Sequence, residues 1–336
     1  MSLEQPSDLE LAILEHLATY RFLTNKQLLT LGVSKSEKHL QMTLRSMAGL
    51  HTKPRVTRAG EGAVARKPTR YRPYRSPAVK VFIFGLDKSK AIRGRMPYVY
   101  ALTRQGAELL ASLRGDETPP YAPAVPSFPR QEYLHRLGII DCHIAVRTWA
   151  QLHSARLDFY HVEFTRSRKP NGRSVTDTRV ELKDGSFIKP DSIFQLTTSD
   201  ERKRLYALEF AAGLETALIE SKLDTYRYVL HEGAIRRAFA YEHGVRVLVV
   251  FKHESTLRNV FERLASRSEF RPFSRHFVFK TLEELERDVV WLAAARLARS
   301  GAALCQLTAQ LRLGLRLVLR FMLRYVLRTL RQQNSL

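Results

Sequence analysis

The chain has 336 residues, 44% hydrophobic and 26% charged, the composition of a globular protein long enough for two cored domains. Its 55 Lys and Arg against 33 Asp and Glu leave a formal charge of +22, which speaks to anionic partners rather than to fold: nucleic acid first, an anionic membrane surface second. Cys142 and Cys305 are too few for a disulfide framework or a cysteine zinc site, and the acidic, polar start of the chain is not expected to be a signal peptide, so a cytoplasmic protein is expected.

Residues 1–115 read as a winged helix-turn-helix. Ser7 with Glu10 is a capping-box spacing that predicts a helix through about Tyr20, with Leu9, Leu11, Ile13, Leu14 and Leu17 as its apolar face. Thr24 with Gln27 predicts a short helix ending at Gly32, and Ser34 with Glu37 a third helix through about Met47. A short helix, a Gly-containing turn and a longer helix form the helix-turn-helix pattern. Lys35, Lys38, His39, Gln41 and Arg45 on the third helix are types that reach phosphates and base edges. A basic segment follows, with Arg55, Arg58, Arg66, Lys67, Arg70 and Arg72 among Tyr71 and Tyr74. Two β-runs, Lys80 to Phe84 and Tyr98 to Leu102, flank a loop bearing Lys90, Arg93 and Arg95, the outline of a wing. Thr103 is placed to cap a last helix, residues 105–113, and the Tyr100-to-Leu110 pattern Y-x-L-T-x-x-G-x-x-L-L resembles microbial winged-helix proteins. The alternative is a protein-docking module whose basic loop is merely solvated.

Residues 116–130 hold five prolines and are expected to be a semi-rigid linker. Residues 131–290 read as a second domain. It opens on a long helix, Arg130 to His153, carrying His135 and Asp141, with Leu134, Leu137, Ile140, Ile144 and Trp149 at helical spacing. Strands are predicted at Leu157 to Phe164, at Thr178 to Leu182 and Ser186 to Ile188 as a hairpin around Asp184-Gly185, and at Ile193 to Leu196 and Leu205 to Ala212. A helix from Glu215 to Val229, a strand from Val245 to Phe251, a helix opened by Ser255 and a strand from His276 to Lys280 complete it. The order suits a mixed sheet covered on both faces, an α/β (α+β) fold, and no Gly-rich phosphate loop is present.

Within this domain Asp191 follows Pro190 at a strand start, and Glu209 interrupts an otherwise apolar strand. A carboxylate in such a run is costly to bury alone, and two on neighbouring strands can converge on one Mg²⁺ ion. The pattern of Pro-Asp, loop and apolar strand with Glu resembles the PD-(D/E)XK nuclease-like core. With His135, Asp141 and the Gly213-to-Thr216 run G-L-E-T, most of residues 10–250 resembles the replication-relaxation family, whose members include MobC-like plasmid mobilisation proteins. A metal nuclease of that fold carries a lysine two residues past the strand glutamate, and here Ala211 stands there. The family pattern of Asp then Arg is replaced by Ala211 and Ala212. Lys222 on the next helix, one turn before Tyr226, is the candidate stand-in, which makes Asp191, Glu209 and Lys222 the candidate catalytic set and the two carboxylates the candidate Mg²⁺ ligands.

Residues 291–336 form a tail without acidic residues, in which Arg312, Arg316, Arg320, Arg324 and Arg328 recur every fourth position. On a helix that spacing drifts about 40° per step, giving a winding basic stripe beside an apolar face, suited to a membrane surface, a partner or a second copy of the chain. The leading reading is a DNA-binding accessory protein of plasmid mobilisation or replication. It would bind double-stranded DNA through the winged helix, and DNA or a partner such as a relaxase or coupling protein through an inactive nuclease-like domain, without a cofactor. The rivals are a Mg²⁺-dependent endonuclease and a winged-helix transcriptional repressor.

Overall fold

A computed structural model describes residues 5–50, 77–82, 97–121, 130–164, 166–168 and 174–287. The fold is mixed α/β, as the sequence predicts, and it divides into two units, Met1–Ala145 and Val146–Leu336. Most of the basic segment after the third helix, the loop between the two β-runs and the arginine-striped tail lie outside the described residues.

In the first unit α1 (Asp8–Tyr20) buries Ile13, Leu14, Leu17 and Tyr20, the stripe that its apolar spacing dictates. Both arms of the Ser7/Glu10 capping box are made, and so are those of Thr24/Gln27 at the start of α2 (Asn25–Thr30). The predicted Ser34/Glu37 box does not form. The Ser34 hydroxyl turns back on Ser36, taking its N–H and donating to its carbonyl, both at 3.1 Å, so Ser36 becomes the cap of α3 (Glu37–Met47) and accepts from the His39 N–H. Residues 31–36 therefore separate α2 from α3, a longer turn than the sequence suggested, with Gly32 at φ +76° where a side chain would be strained. Leu40, Thr43, Leu44 and Met47 face inward from α3.

Three short strands form an antiparallel sheet in the order β1-β3-β2: β1 (Leu23–Thr24), β2 (Val79–Phe82) and β3 (Val99–Leu102). Thr103 caps α4 (Arg104–Arg114) through the Gly106 N–H and donates to the Pro77 carbonyl at 2.6 Å. Helix and sheet approach so closely that a Cβ on Gly106 would sit 2.0 Å from the Ala78 carbonyl oxygen, so no other residue fits there. Gln27 has two tasks. Its side-chain oxygen takes the Thr24 N–H at 2.9 Å, while its nitrogen donates to Asp141 at 2.8 Å and to the Leu137 carbonyl at 3.3 Å, both on α5 (Arg130–Leu152). Asp141 is thus a fastening point for the start of α2.

In the second unit a five-stranded sheet runs in the order β12-β11-β10-β9-β4. After β4 (Arg156–Val162) come two antiparallel pairs, β5 (Arg166–Arg168) with β6 (Ser174–Thr176), which the sequence did not reveal, and β7 (Val180–Glu181) with β8 (Phe187–Ile188). The latter is the expected hairpin, turning at Gly185 with φ +83°. Next, β9 (Ser192–Thr197) lies antiparallel to both β4 and β10 (Lys203–Ala211). α6 (Thr216–Glu232) and α7 (Ala234–Ala238) lead to β11 (Arg246–Phe251), parallel to β10. Then α8 (Glu254–Ala265) and a 3-10 helix (Ser268–His276) lead to β12 (Phe277–Thr281), parallel to β11, with α9 (Leu282–Arg287) after it. α8 begins after His253, without a side-chain cap, rather than at Ser255.

The near-continuous apolar runs of β10 and β11 follow from this layout, since central strands with parallel neighbours are covered on both faces. On one face Leu205, Ala207, Val247, Val249 and Phe251 pack with Leu223, Tyr226 and Val229 of α6 and Val260 of α8. Each fully buried Leu, Val or Phe among them contributes roughly 1.5–3 kcal/mol. On the other face Tyr160, Phe194 and Tyr206 stack across β4, β9 and β10 at 5.2 and 5.0 Å between ring centroids.

Candidate functional site

The last pair in the ladder between β9 and β10 joins Ser192 to Leu208, so continuing the register sets Asp191 opposite Glu209. Directly opposed residues of an antiparallel pair share a sheet face, and the two carboxylates therefore meet although 18 positions separate them in sequence. Beyond this point β9 offers no further backbone acceptor to β10. The Asp191 side chain takes over that role and accepts the Phe210 N–H at 2.7 Å, while its own carbonyl takes the Glu163 N–H at 3.0 Å.

Helix α6 closes the site from above the sheet. Lys222 and Tyr226 stand four residues apart, hence on one helix face, and each takes one oxygen of Glu209. The Lys222 ammonium donates to Oε2 and the Tyr226 hydroxyl to Oε1, both at 2.7 Å. The same ammonium lies 3.7 Å from Asp191 Oδ1. The Asp191 and Glu209 side chains are 3% and 9% exposed and that of Lys222 is 45% exposed, so the lysine is the site's one wet side. Glu163, paired with Lys189 at 2.8 Å, adds its charge to the field around Lys222.

Burial, and after it the charge of Asp191, pushes the Glu209 carboxyl up to about 8, against the opposing pull of Lys222 and Tyr226. Burial by itself would lower the Lys222 ammonium, but the facing Glu209 and Asp191 outweigh it and hold the lysine charged. Burial, then Glu209, raises the Tyr226 phenol well above its usual range, so it stays a donor. Asp191, Glu209 and Lys222, singled out from sequence, are brought into one cluster. Tyr226, which the sequence places one turn after Lys222, joins it as expected, and the Phe210 N–H completes it.

Two carboxylates suit a hard divalent cation. Here three of their four oxygens are already engaged by Phe210, Lys222 and Tyr226, and an ammonium sits beside both groups. An ion shared by Asp191 and Glu209 would have to take the place that the Lys222 ammonium holds beside both. Ala211 continues the strand two residues past Glu209 and its methyl group lies in the core. Of the neighbouring run, Gly213 and Glu215 are exposed and outside the cluster.

On the first unit Lys38, His39, Gln41 and Arg45 are exposed on α3, while Leu40, Leu44 and Met47 of that helix are buried; Lys35, expected on the helix, is exposed in the turn before it because Ser36 rather than Ser34 is the cap. Gln41 is held by Glu37 at 3.0 Å. Arg55, Arg58, Arg66, Lys67, Arg70, Arg72, Lys90, Arg93 and Arg95 lie outside the described residues. Among the described residues no helix is long and apolar enough to cross a membrane.

A family model described as replication-relaxation matches residues 14–241, from within α1 to just past α7 and so across the whole cluster. No curated protein and no solved structure matches the chain.

Proposed function

The chain belongs to the replication-relaxation family, and from that premise we propose that it is an accessory protein of plasmid replication or mobilisation that binds DNA and does not cut it. Duplex DNA meets the exposed side of α3, where Lys38, His39, Gln41 and Arg45 supply phosphate contacts and base contacts. The second unit, a nuclease-like domain without cleavage activity, holds DNA or a protein partner such as a relaxase or coupling protein. The observation that carries the non-cutting reading is the ammonium of Lys222, 2.7 Å from Glu209 and 3.7 Å from Asp191. An internal cation there does structurally what a metal ion does chemically in a working site: it offsets the negative charge held by two buried, facing carboxyl groups.

A second reading, a Mg²⁺-dependent endonuclease, draws support from the same convergence. In it Lys222 leaves the carboxylates to a metal ion and turns to the attacking water. A supercoiled-plasmid assay separates the two. The purified chain, with Mg²⁺ or Mn²⁺ and without, is expected to retard the plasmid and leave it uncut, with retention weakening steeply as salt rises. Nicking that requires the metal and disappears in both Asp191→Asn and Asp191→Ala would establish the second reading and end the first.

A further inference from the structure

We propose that the second unit carries a phosphate-binding cleft at the sheet end remote from Asp191 and Glu209, and that the cleft takes the phosphodiester backbone of nucleic acid. The proposal rests on the reading of the chain as DNA-binding and adds a surface to it.

Strands β10, β11 and β12 are neighbours and parallel, so their first residues lie side by side at one sheet edge. A cleft of about 700 Å³ opens there, walled by Arg202, Lys203, Arg204, Arg246 and Arg275. His243 and His276 join them, and Glu201 is the single carboxylate of the lining among the described residues. Arg202 is engaged by Asp200 at 3.0 Å, whereas Lys203, Arg204 and Arg275 enter no ion pair among the described residues. Gathering cations on one concave wall costs repulsion that a bound polyanion relieves.

The wall is also held in place. Arg275 Nε donates to His276 Nε2 at 3.3 Å, which leaves the imidazole proton on Nδ1, where it meets the Val245 carbonyl at 3.0 Å. That ring anchors Arg275 at the rim. The Tyr241 hydroxyl donates to the Lys203 carbonyl at 2.7 Å and fixes the start of β10. A second hollow of about 250 Å³ shares Gly244, Val245, Arg275 and His276 with the cleft and adds Arg236. The cationic surface is therefore longer than one phosphate needs, which favours a polymer over a free anion.

Glu209 lies six positions along β10 from Lys203, about 20 Å at roughly 3.3 Å per residue. The cleft is thus separate from the carboxylate cluster.

The test uses the full chain and a fluorescent random-sequence duplex, with affinity measured by anisotropy from low to moderate salt. Three proteins are compared: wild type, the cleft variant Lys203→Gln/Arg204→Gln/Arg275→Gln, and the α3 variant Lys38→Gln/Arg45→Gln. Removing three phosphate contacts is expected to flatten the plot of log affinity against log salt by about 2.7 and to weaken binding roughly tenfold or more at low salt. Lysine or arginine substitutions that keep the charge (Lys203→Arg, Arg204→Lys, Arg275→Lys) should restore the slope, which a folding defect would not allow. Millimolar inorganic phosphate should compete poorly; competition as effective as that of unlabelled duplex, per phosphate, overturns the polymer assignment. A cleft variant with wild-type affinity and slope beside a weakened α3 variant refutes the cleft and leaves the proposed function standing. Failure of the wild-type chain to bind the duplex refutes both.

Discussion

Replacing Glu209 by Gln should change how stability depends on pH more than stability itself. The substitution keeps the shape of the side chain and a carbonyl oxygen that can accept from Lys222 or Tyr226, but removes the titrating group. Because the folded carboxyl is raised to about 8 from 4.5, the folded chain binds more protons than the unfolded chain between those values. The stabilisation is complete below about pH 4.5 and is lost as pH rises through 8. At about 1.4 kcal/mol per pH unit the loss is at most about 5 kcal/mol. Water reaching the cluster past the half-exposed Lys222 reduces this to about 2–3 kcal/mol. Lys222, raised in the fold, contributes a constant amount across this range, and the lowered carboxyls of Asp158, Asp184, Asp224 and Glu269 change their contributions only at more acid pH. Urea unfolding at pH 5, 7 and 9 measures the effect. Glu209→Gln should match wild type at pH 5 and exceed it by about 2–3 kcal/mol at pH 9. Parallel curves for the two proteins would refute a raised Glu209.

Lys222→Met strips the cluster of its cation and should cost about 1–3 kcal/mol at pH 8 by urea unfolding, with much of the loss recovered when Glu209→Gln is added; independent, additive effects would argue against a shared cluster. Gly106→Ala forces a methyl group onto the Ala78 carbonyl and should destabilise the first unit by about 3 kcal/mol or more, read as a lower melting temperature; an unchanged melting temperature would deny the close approach. Gln27→Ala leaves the Thr24 N–H and Asp141 without their described partner and should cost about 1–3 kcal/mol, with earlier proteolytic cutting near α2; equal proteolysis would show that the fastening matters little.

Much of this was legible beforehand because it is local. Caps, apolar spacing and the Asp-Gly turn act within a few residues, so α1, α2, α4, β3, β9, β10 and the β7–β8 hairpin follow from short windows of sequence. The failure at α3 is local too: Ser34 and Ser36 compete for the same turn, and two serines two positions apart carry no mark of which will cap. Asp191 and Glu209 stand out as carboxylates in apolar surroundings, and Lys222 as a lysine one helix away. The Asp191 bond to the Phe210 N–H was not legible, since it depends on where the β9 ladder stops. Nor was the cleft, whose cations come from three stretches of chain that only the parallel register of β10, β11 and β12 brings together.

The antiparallel pairing of β9 with β10 also predicts an order of events in time. Residues 198–202 join β9 to β10, a closure of low entropy cost, whereas α6, with Lys222, must still find its place on the sheet. The strand pair is thus expected to set Asp191 against Glu209 before Lys222 reaches them, so that the late barrier is crossed with two facing carboxyl groups. Refolding should accordingly slow as pH rises from 5 to 9, and less so in Glu209→Gln; stopped-flow rates that fall equally in both would mean that α6 docks before the strands pair. With that result the carboxylates would be a kinetic checkpoint on assembly of the second unit, released when the helix delivers its charge.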